Sequence, residues 1–549
     1  MILLLEERIK KFFNQPSFCD YQGETLLYSD VAKKILFFHR FFKKLNLKPG
    51  DKIALIGRNS THWAIAYFAI ISYGAVVVPL LPDFHPDDMQ HLLHHSESKF
   101  VFVAKNIFSQ LSETAFKSVE GVLALEDYST LYYHKKNFDS LKEEAYQKNE
   151  KEFKNTNQEN FQFSSYPSLK EPAALIYTSG TTGFSKGVLL SYDVLWANVD
   201  FAEHHINLNL GDKMLSFLPL SHAYAASFDF LFPFFQGAHI FFLSQIPSPK
   251  LLLNALRDVK PSLIFTVPLI IKKIYKKQIM PTLEKKLMKV LLKLPKISQK
   301  ILNKIKNKLI QAFGGNFQQL IIGGAALNPE VEEFFKKIKF PFTVGYGMTE
   351  CGPLISYTNP KEHRTYSVGR TIPCLESRIN SSDPENIIGE IQVKGVNVMI
   401  EYYKNQEATK ESFTPDGWLK TGDLGVIDKD GFIFIKGRSK NMILGASGQN
   451  IYPEEIEALL NNYDYITECM VTEKDKKLIA LAYPDFEVVD QRKPHNTDSL
   501  SWLGEQVEEI RKDLNQSLPQ YCQISKIILR AEPFEKTPTQ KIKRFLYQV

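Results

Sequence analysis

The chain is poor in the residues that would make it a stapled, fibrous or membrane-spanning protein. Five cysteines are scattered through 549 residues (Cys19, Cys351, Cys374, Cys469 and Cys522), with no Cys-x-x-Cys pair. That spacing argues against a disulfide framework or a zinc site and favours a reducing, cytoplasmic setting. Glycine and proline, 28 each, follow no period, which excludes collagen-like and low-complexity chains. Net charge is +6, too mild at this length to call for nucleic acid, and none is expected. Long apolar runs are also missing. Met1–Leu5 meets charge at Glu6, too early for a signal sequence. The most apolar stretch, Ala223–Leu243, is interrupted by Asp229, Pro233 and His239 and reads as buried core or pocket lining.

What is present is the composition of a globular protein, 44% hydrophobic and 23% charged, in a chain too long for one core. Lys52–Gly57, Ala75–Leu80 and Phe100–Ala104 read as buried strands, with helices over Thr61–Tyr73 and Pro86–Ser96. Strand and helix in alternation predict a parallel α/β sheet. Lys135–Gln162 is polar and weakly periodic and is expected to be an exposed connection. Towards the end, Gly431–Lys436 reads as a strand, Tyr452–Leu460 and Trp502–Leu514 as helices, and Cys469–Val471 and Leu478–Ala482 as strands. A small α+β unit from about Arg438 is therefore expected, with a hinge at its start.

Lys272–Lys308 carries thirteen lysines and a single acid, Glu284. Leu287, Leu291, Leu294, Ile297, Ile301 and Ile305 keep roughly helical spacing. Two readings stand: solvated helices on the body, or a cationic amphipathic surface for anionic membrane or an acidic carrier.

The strongest chemical signal is Leu175-Ile-Tyr-Thr-Ser-Gly-Thr-Thr-Gly-Phe-Ser-Lys-Gly187. A strand runs into Thr178, Ser179, Gly180, Thr181, Thr182 and Gly183, followed by Lys186. Glycine lets amides converge on an anion, hydroxyls add donors and lysine adds charge, so the loop has the composition of a phosphate cradle. It does not fit the Walker A spacing, and a plain hairpin turn has the same composition.

With six further motifs in order, the chain resembles the adenylate-forming (AMP-binding) superfamily, most of all long-chain fatty acyl-CoA ligases and acyl-acyl carrier protein synthetases. The motifs are Pro219-Leu-Ser-His-Ala-Tyr224, Gly323-Gly-Ala-Ala-Leu-Asn-Pro329, Gly345-Tyr-Gly-Met-Thr-Glu350, Trp418-Leu-Lys-Thr-Gly-Asp-Leu424, Gly437-Arg-Ser-Lys440 and Lys536-Thr-Pro-Thr-Gln-Lys-Ile-Lys-Arg544. The resemblance runs from about Tyr28 to Arg544.

It implies an α/β protein: a large N-terminal domain over 1–437, with parallel α/β sheets and a β subdomain, and a small mobile α+β domain over 438–549. It implies ATP, Mg²⁺ and either CoA or holo acyl carrier protein as thiol acceptor, with a fatty acid as the other substrate. By the same resemblance Glu350, beside Thr349, holds Mg²⁺. Tyr346 and Gly347 face adenine opposite Gly324, Ala325 and Ala326, while Asp423 and Arg438 take the ribose. Lys541 serves the adenylation step and His222 lines the acid's entry. Lys440 is the hinge, and Gly448 and Gln449 belong to the thiol channel. Phe228, Phe230, Phe232, Phe234 and Phe235 are a candidate apolar tunnel wall for the acyl chain, with core packing as the other reading. Two positions depart from the family pattern: Phe184 replaces its usual proline, and Gln540 its usual glycine before the lysine. A non-catalytic nucleotide- or membrane-binding protein is the competing class, against which Glu350, Asp423, Arg438 and Lys541 all stand intact.

Overall fold

The computed structural model describes residues 1–178, 185–283, 295–444, 449–495, 497–537 and 541–547, with the side chains at 277, 278, 282 and 295–297 excepted. Two large sheets dominate. In the first, eight strands run in the order Glu401–Tyr402, Lys186–Ser191, Pro172–Thr178, Val76–Leu80, Lys52–Ile56, Phe100–Val103, Gly121–Ala124 and Thr130–Tyr133. Its centre is parallel and its edges antiparallel. The central strands are β-branched and buried on both faces, as parallel strands under helices must be.

The second sheet orders seven strands as Phe342–Val344, Gln319–Ile322, Leu263–Thr266, Lys213–Ser216, His239–Phe242, Pro16–Asp20 and Thr25–Leu27. The helix Thr61–Tyr73 touches strands of both sheets and is buried almost all round, which explains why its sequence has no polar face. Ser60 Oγ caps its start by accepting the Trp63 amide at 3.1 Å, and Gly74 ends it at φ +91°.

The strands and helices expected between Lys52 and Ala104 are all present. Lys135–Gln162 is not an exposed connection: Phe138–Phe153 is a helix. It has too few apolar residues to show a stripe, with only Phe138, Ala145 and Asn149 buried. It docks on the helix Tyr28–Lys44 through a few ring contacts, Phe138 on Phe41 and Tyr146 on Phe37, and through polar pairs. Lys33–Glu150 at 2.8 Å, Lys44–Glu144 at 2.6 Å and Arg40 to Asn149 at 2.7 Å tie the two together.

Phe230 and Phe234 pack into the core against Phe18 and Phe68. Phe228 alone of the five has its ring against Tyr224 and Phe265. The lysine-rich segment divides into Pro268–Ile274, Tyr275–Ile279, Met280–Leu283 and Pro295–Ala312. Leu287, Leu291 and Leu294 lie outside the described residues. In the last helix Leu302 and Leu309 are the buried positions and Ile305 packs partly against the core, while Lys300, Lys304 and Lys308 are exposed. Lys272 and Lys276 are not solvated: both are largely covered, and Lys276 Nζ donates to the Tyr463 carbonyl at 3.4 Å.

Two antiparallel sheets come next in the chain, one of them Leu375–Asn380, Gly389–Gly395, Leu419–Ile427 and Ile433–Arg438. Beyond it, Ile466–Lys474, Lys477–Pro484 and Lys526–Leu529 form a sheet under the helices Pro453–Leu460 and Ser499–Ser517. This last unit encloses its own apolar cluster, including Ile456, Leu460, Ala480, Leu503 and Leu514. Among the described residues no helix is long and apolar enough to cross a membrane.

Candidate active site

Thr178 and Lys186 face each other at the ends of the antiparallel strands Pro172–Thr178 and Lys186–Ser191, and the Thr178 hydroxyl donates to the Lys186 carbonyl at 3.4 Å. The phosphate-cradle residues Ser179, Gly180, Thr181, Thr182 and Gly183, and Phe184 with them, lie outside the described residues. Lys186 Nζ stands 4.6 Å from the ring centre of Tyr402, on the strand that pairs with its own.

The same tyrosine reaches the next motif. Its hydroxyl donates to Glu350 Oε1 at 2.7 Å, and the carboxylate is nearly covered, at 9% exposure. Burial, and then the charge of Glu350, push the Tyr402 phenol above its usual pKa. Glu350 and Thr349 lie in the short turn Thr349–Cys351, which the Met348 amide closes by donating to the Pro353 carbonyl at 2.8 Å. A Cβ on Gly347 would meet that same Pro353 carbonyl oxygen at 2.1 Å, so only glycine fits there.

Among the described residues, Glu350 Oε2 has no bonded partner, and no group of three His, Cys, Asp or Glu could cage a metal. One carboxylate with a free oxygen suits a Mg²⁺ ion that takes its other ligands from phosphate and water.

Asp423 and Arg438 are partners across adjacent strands, and their side chains pair at 2.8 Å from Nε to Oδ1. Tyr346 OH donates to the other oxygen of Asp423 at 2.7 Å. Burial raises the Asp423 carboxyl despite the opposing pull of Arg438 and Tyr346. Gly324, Ala325 and Ala326 come after the strand Gln319–Ile322 as an exposed rim, with Gly324 at φ +87°.

His222 immediately precedes the short helix Ala223–Ala225. Burial first, and then the charge of Lys541, lower its pKa to about 4, so the imidazole is neutral at neutral pH. Lys541 itself retains exposed surface, yet the protein packed around it lowers its ammonium pKa, by burial first and then through Arg438. Asp423 and Glu350 act in the opposite sense. The tail lysine is thus within electrostatic reach of four site residues from four other segments: His222, Glu350, Asp423 and Arg438.

The profile of a family described as AMP-binding enzyme matches residues 5–403. The chain belongs to the AMP-binding enzyme family. Curated relatives of this AMP-binding enzyme include the long-chain-fatty-acid–CoA ligase FadD15 of Mycobacterium bovis, 28% identical over 91% of this chain and 86% of that protein. The long-chain-fatty-acid–CoA ligase of Salmonella typhimurium is also 28% identical, over 85% of this chain and 82% of its own length. Solved structures of like fold include the anthranilate CoA ligase AuaEII with anthranoyl-AMP, at TM-score 0.80 and 18% identity, covering 100% of this chain and 96% of that one. ATP-bound MatB from Rhodopseudomonas palustris gives 0.76 and 20%, covering 99% and 98%. The α/β architecture and the adenylate-forming class expected from the motifs both hold.

Lys440 lies exposed in the turn Ser439–Asn441, and Gln449 is exposed beside the strand Asn450–Ile451. Gly448 lies outside the described residues. Sequence reasoning missed Tyr402, which no motif marked: Glu401-Tyr-Tyr-Lys404 has no local chemistry, and its role depends on strand pairing.

Proposed function

We propose that this AMP-binding enzyme activates a fatty carboxylic acid with ATP and transfers the acyl group to the thiol of CoA. The observation that carries the reading is the tail lysine, Lys541, in the field of Glu350, Asp423, Arg438 and His222. The ATP-dependent step needs a cation there: a carboxylate attacking the α-phosphate brings negative charge onto negative charge, and a positioned ammonium lowers that barrier. Asp423 accepts from the ribose hydroxyls and Arg438 donates to the same sugar. Tyr346, held by Asp423, offers its ring to adenine opposite Gly324, Ala325 and Ala326. Gly347 keeps the backbone beside it close. The loop Thr178–Gly183 and Lys186 carry the phosphates. Mg²⁺ brought in with the nucleotide would be held by Glu350, beside Thr349, and supplies neutralisation of phosphate charge. His222, neutral at neutral pH, orients the acid without adding a second cation.

The products of this half-reaction are acyl-adenylate and pyrophosphate. A thiol then displaces AMP. We read residues 1–437 and 438–549 as bodies that turn about Lys440 between the steps, withdrawing Lys541 and bringing Gly448 and Gln449 to a thiol channel. Separate apolar clusters on either side of this boundary support that division. The names of the curated relatives support a long acyl chain and CoA. Lys300, Lys304 and Lys308, exposed along the helix Pro295–Ala312, are the side that meets an anionic surface.

The test is pyrophosphate release across a series of acids, with CoA and separately with holo acyl carrier protein. Release that rises with chain length, and thioester formed with CoA, is expected. No acid-dependent release removes the ligase reading; release with short or aromatic acids alone removes the fatty one; thioester only with carrier protein changes the acceptor.

A further inference from the structure

The segment that carries Lys541 doubles back on itself. Thr537 N donates to the Lys541 carbonyl at 2.8 Å, Lys541 N donates to Thr537 Oγ1 at 3.2 Å, and Lys543 N donates to the Glu535 carbonyl at 2.9 Å. Lys536 and Ile542 face each other as an antiparallel bridge. The lysine therefore sits at the start of the second of two facing arms, and its position is set by whatever fixes them.

Each arm is gripped by one carboxylate of the small unit. Arg544 on the second arm pairs with Glu457 Oε2. Glu457 comes from the helix Pro453–Leu460, is 7% exposed, and also accepts the Val471 amide on Oε1 at 2.7 Å. Lys536 on the first arm pairs with Glu468 of the strand Ile466–Lys474. Apolar contact is already supplied: Ile542, Phe534 and Tyr547 pack on Met470, Ile479 and Leu481, and Arg530 lies over the Phe534 and Tyr547 rings. Gluing the tail down does not need buried ions. Against apolar replacements such pairs about break even in stability, and what they add is a defined geometry.

We propose that Glu457 and Glu468 are positioning residues for the adenylation step: by holding Arg544 and Lys536 they fix both arms of the turn and so aim Lys541 into the site, touching no substrate themselves. Arg544 is three residues from Lys541, about 10 Å of extended chain, so a lost grip at either arm translates into a displaced ammonium. The inference rests on the role given to Lys541 above. Glu468 has a second neighbour of consequence. Lys272 of the large unit feels the charges of Glu468 and Asp485, so the outer grip also faces the surface on which the small unit docks.

The experiment uses the full-length enzyme with Glu457→Gln and, as the less buried alternative, Glu468→Gln. Adenylation is read as acid-dependent pyrophosphate–ATP exchange, and the second step as thioester formation from supplied acyl-adenylate and CoA. Misplacing a catalytic group by about 1 Å costs about a hundredfold, so each variant is expected to lose about ten- to a hundredfold in kcat for exchange. The KM for ATP and the rate of the second step stay within about twofold, because neither uses the aimed lysine. Combining Glu468→Gln with Lys541→Ala costs no more than Lys541→Ala alone. Equal loss in both steps, a loss that only tracks a fall in melting temperature, or no loss at all overturns the proposal. Full exchange activity in Lys541→Ala removes the parent reading and this one with it; an inactive Lys541→Ala beside unaffected glutamate variants removes this one alone.

Discussion

Replacing Tyr402 by phenylalanine isolates one hydrogen bond at the centre of the site. The ring stays under Lys186, so the cation–ring contact at 4.6 Å is retained, and what disappears is the hydroxyl that donates to Glu350 at 2.7 Å. Glu350 is 9% exposed, so water can replace the donor only in part. A hydrogen bond to a charged group contributes about 1.5–3 kcal/mol, and leaving a buried carboxylate oxygen unpaired costs a similar amount. One decade in rate or affinity corresponds to about 1.4 kcal/mol, so a roughly ten- to hundredfold loss is expected in kcat/KM for Mg·ATP. Acid-dependent pyrophosphate release at graded ATP and Mg²⁺ reads it, with urea unfolding to separate a stability effect. Tyr402→Leu, which removes the ring as well, should fall further. If Tyr402→Phe keeps kcat/KM within about twofold, Glu350 does not depend on this donor, and the geometry of the site has been misread.

Two predictions concern pH and stability. His39 is fully buried and its pKa is pushed down to about 3 from 6.5, chiefly by burial, so the unfolded chain binds a proton there that the folded chain refuses. Stability contributed by the neutral ring is whole above pH 6.5 and drains away as pH falls towards 3. His39→Gln should remove up to about 4 kcal/mol of that acid dependence in urea titrations across the window, and an unchanged slope would contradict it. Lys272 is pushed down to about 8 from 10.5, by burial first and then by Lys276. Below pH 8 both states are protonated and the covered ammonium is a constant cost. From pH 8 to 10.5 the folded chain sheds its proton first, so stability rises with pH. Lys272→Met should therefore gain about 1–3 kcal/mol at pH 7 in urea unfolding and lose that advantage by about pH 10.5; destabilisation at pH 7 refutes it.

Where the chain advertises itself, it does so by pattern. Val76–Leu80 and Phe100–Val103 are unbroken apolar strands, and Thr61–Tyr73 is apolar all round because protein surrounds it. The motif residues Glu350, Asp423, Arg438 and Lys541 were nameable because several short motifs occur in a fixed order. Phe138–Phe153 was invisible for the opposite reason: it meets its partner helix through a few rings and through ion pairs, and ion pairs across 100 or more residues leave no period. Lys272 and Lys276 misled in the same way, since a lysine under a second body has the same sequence signature as a lysine in water. Tyr402, Glu457 and Arg544 act through pairing between distant elements, which no local window contains.

Arg438 is the last residue of its strand, and Lys440 stands two residues further on. The carboxylate–guanidinium pair with Asp423 is therefore sewn into the ladder upstream of any swivel at that turn. On the proposed rotation about Lys440 the pivot lies beyond this pair, so Arg438 would stay with the larger body, although the proposed boundary falls one residue before it. On that reading an adenylate held by its sugar would keep its hold between the two proposed steps.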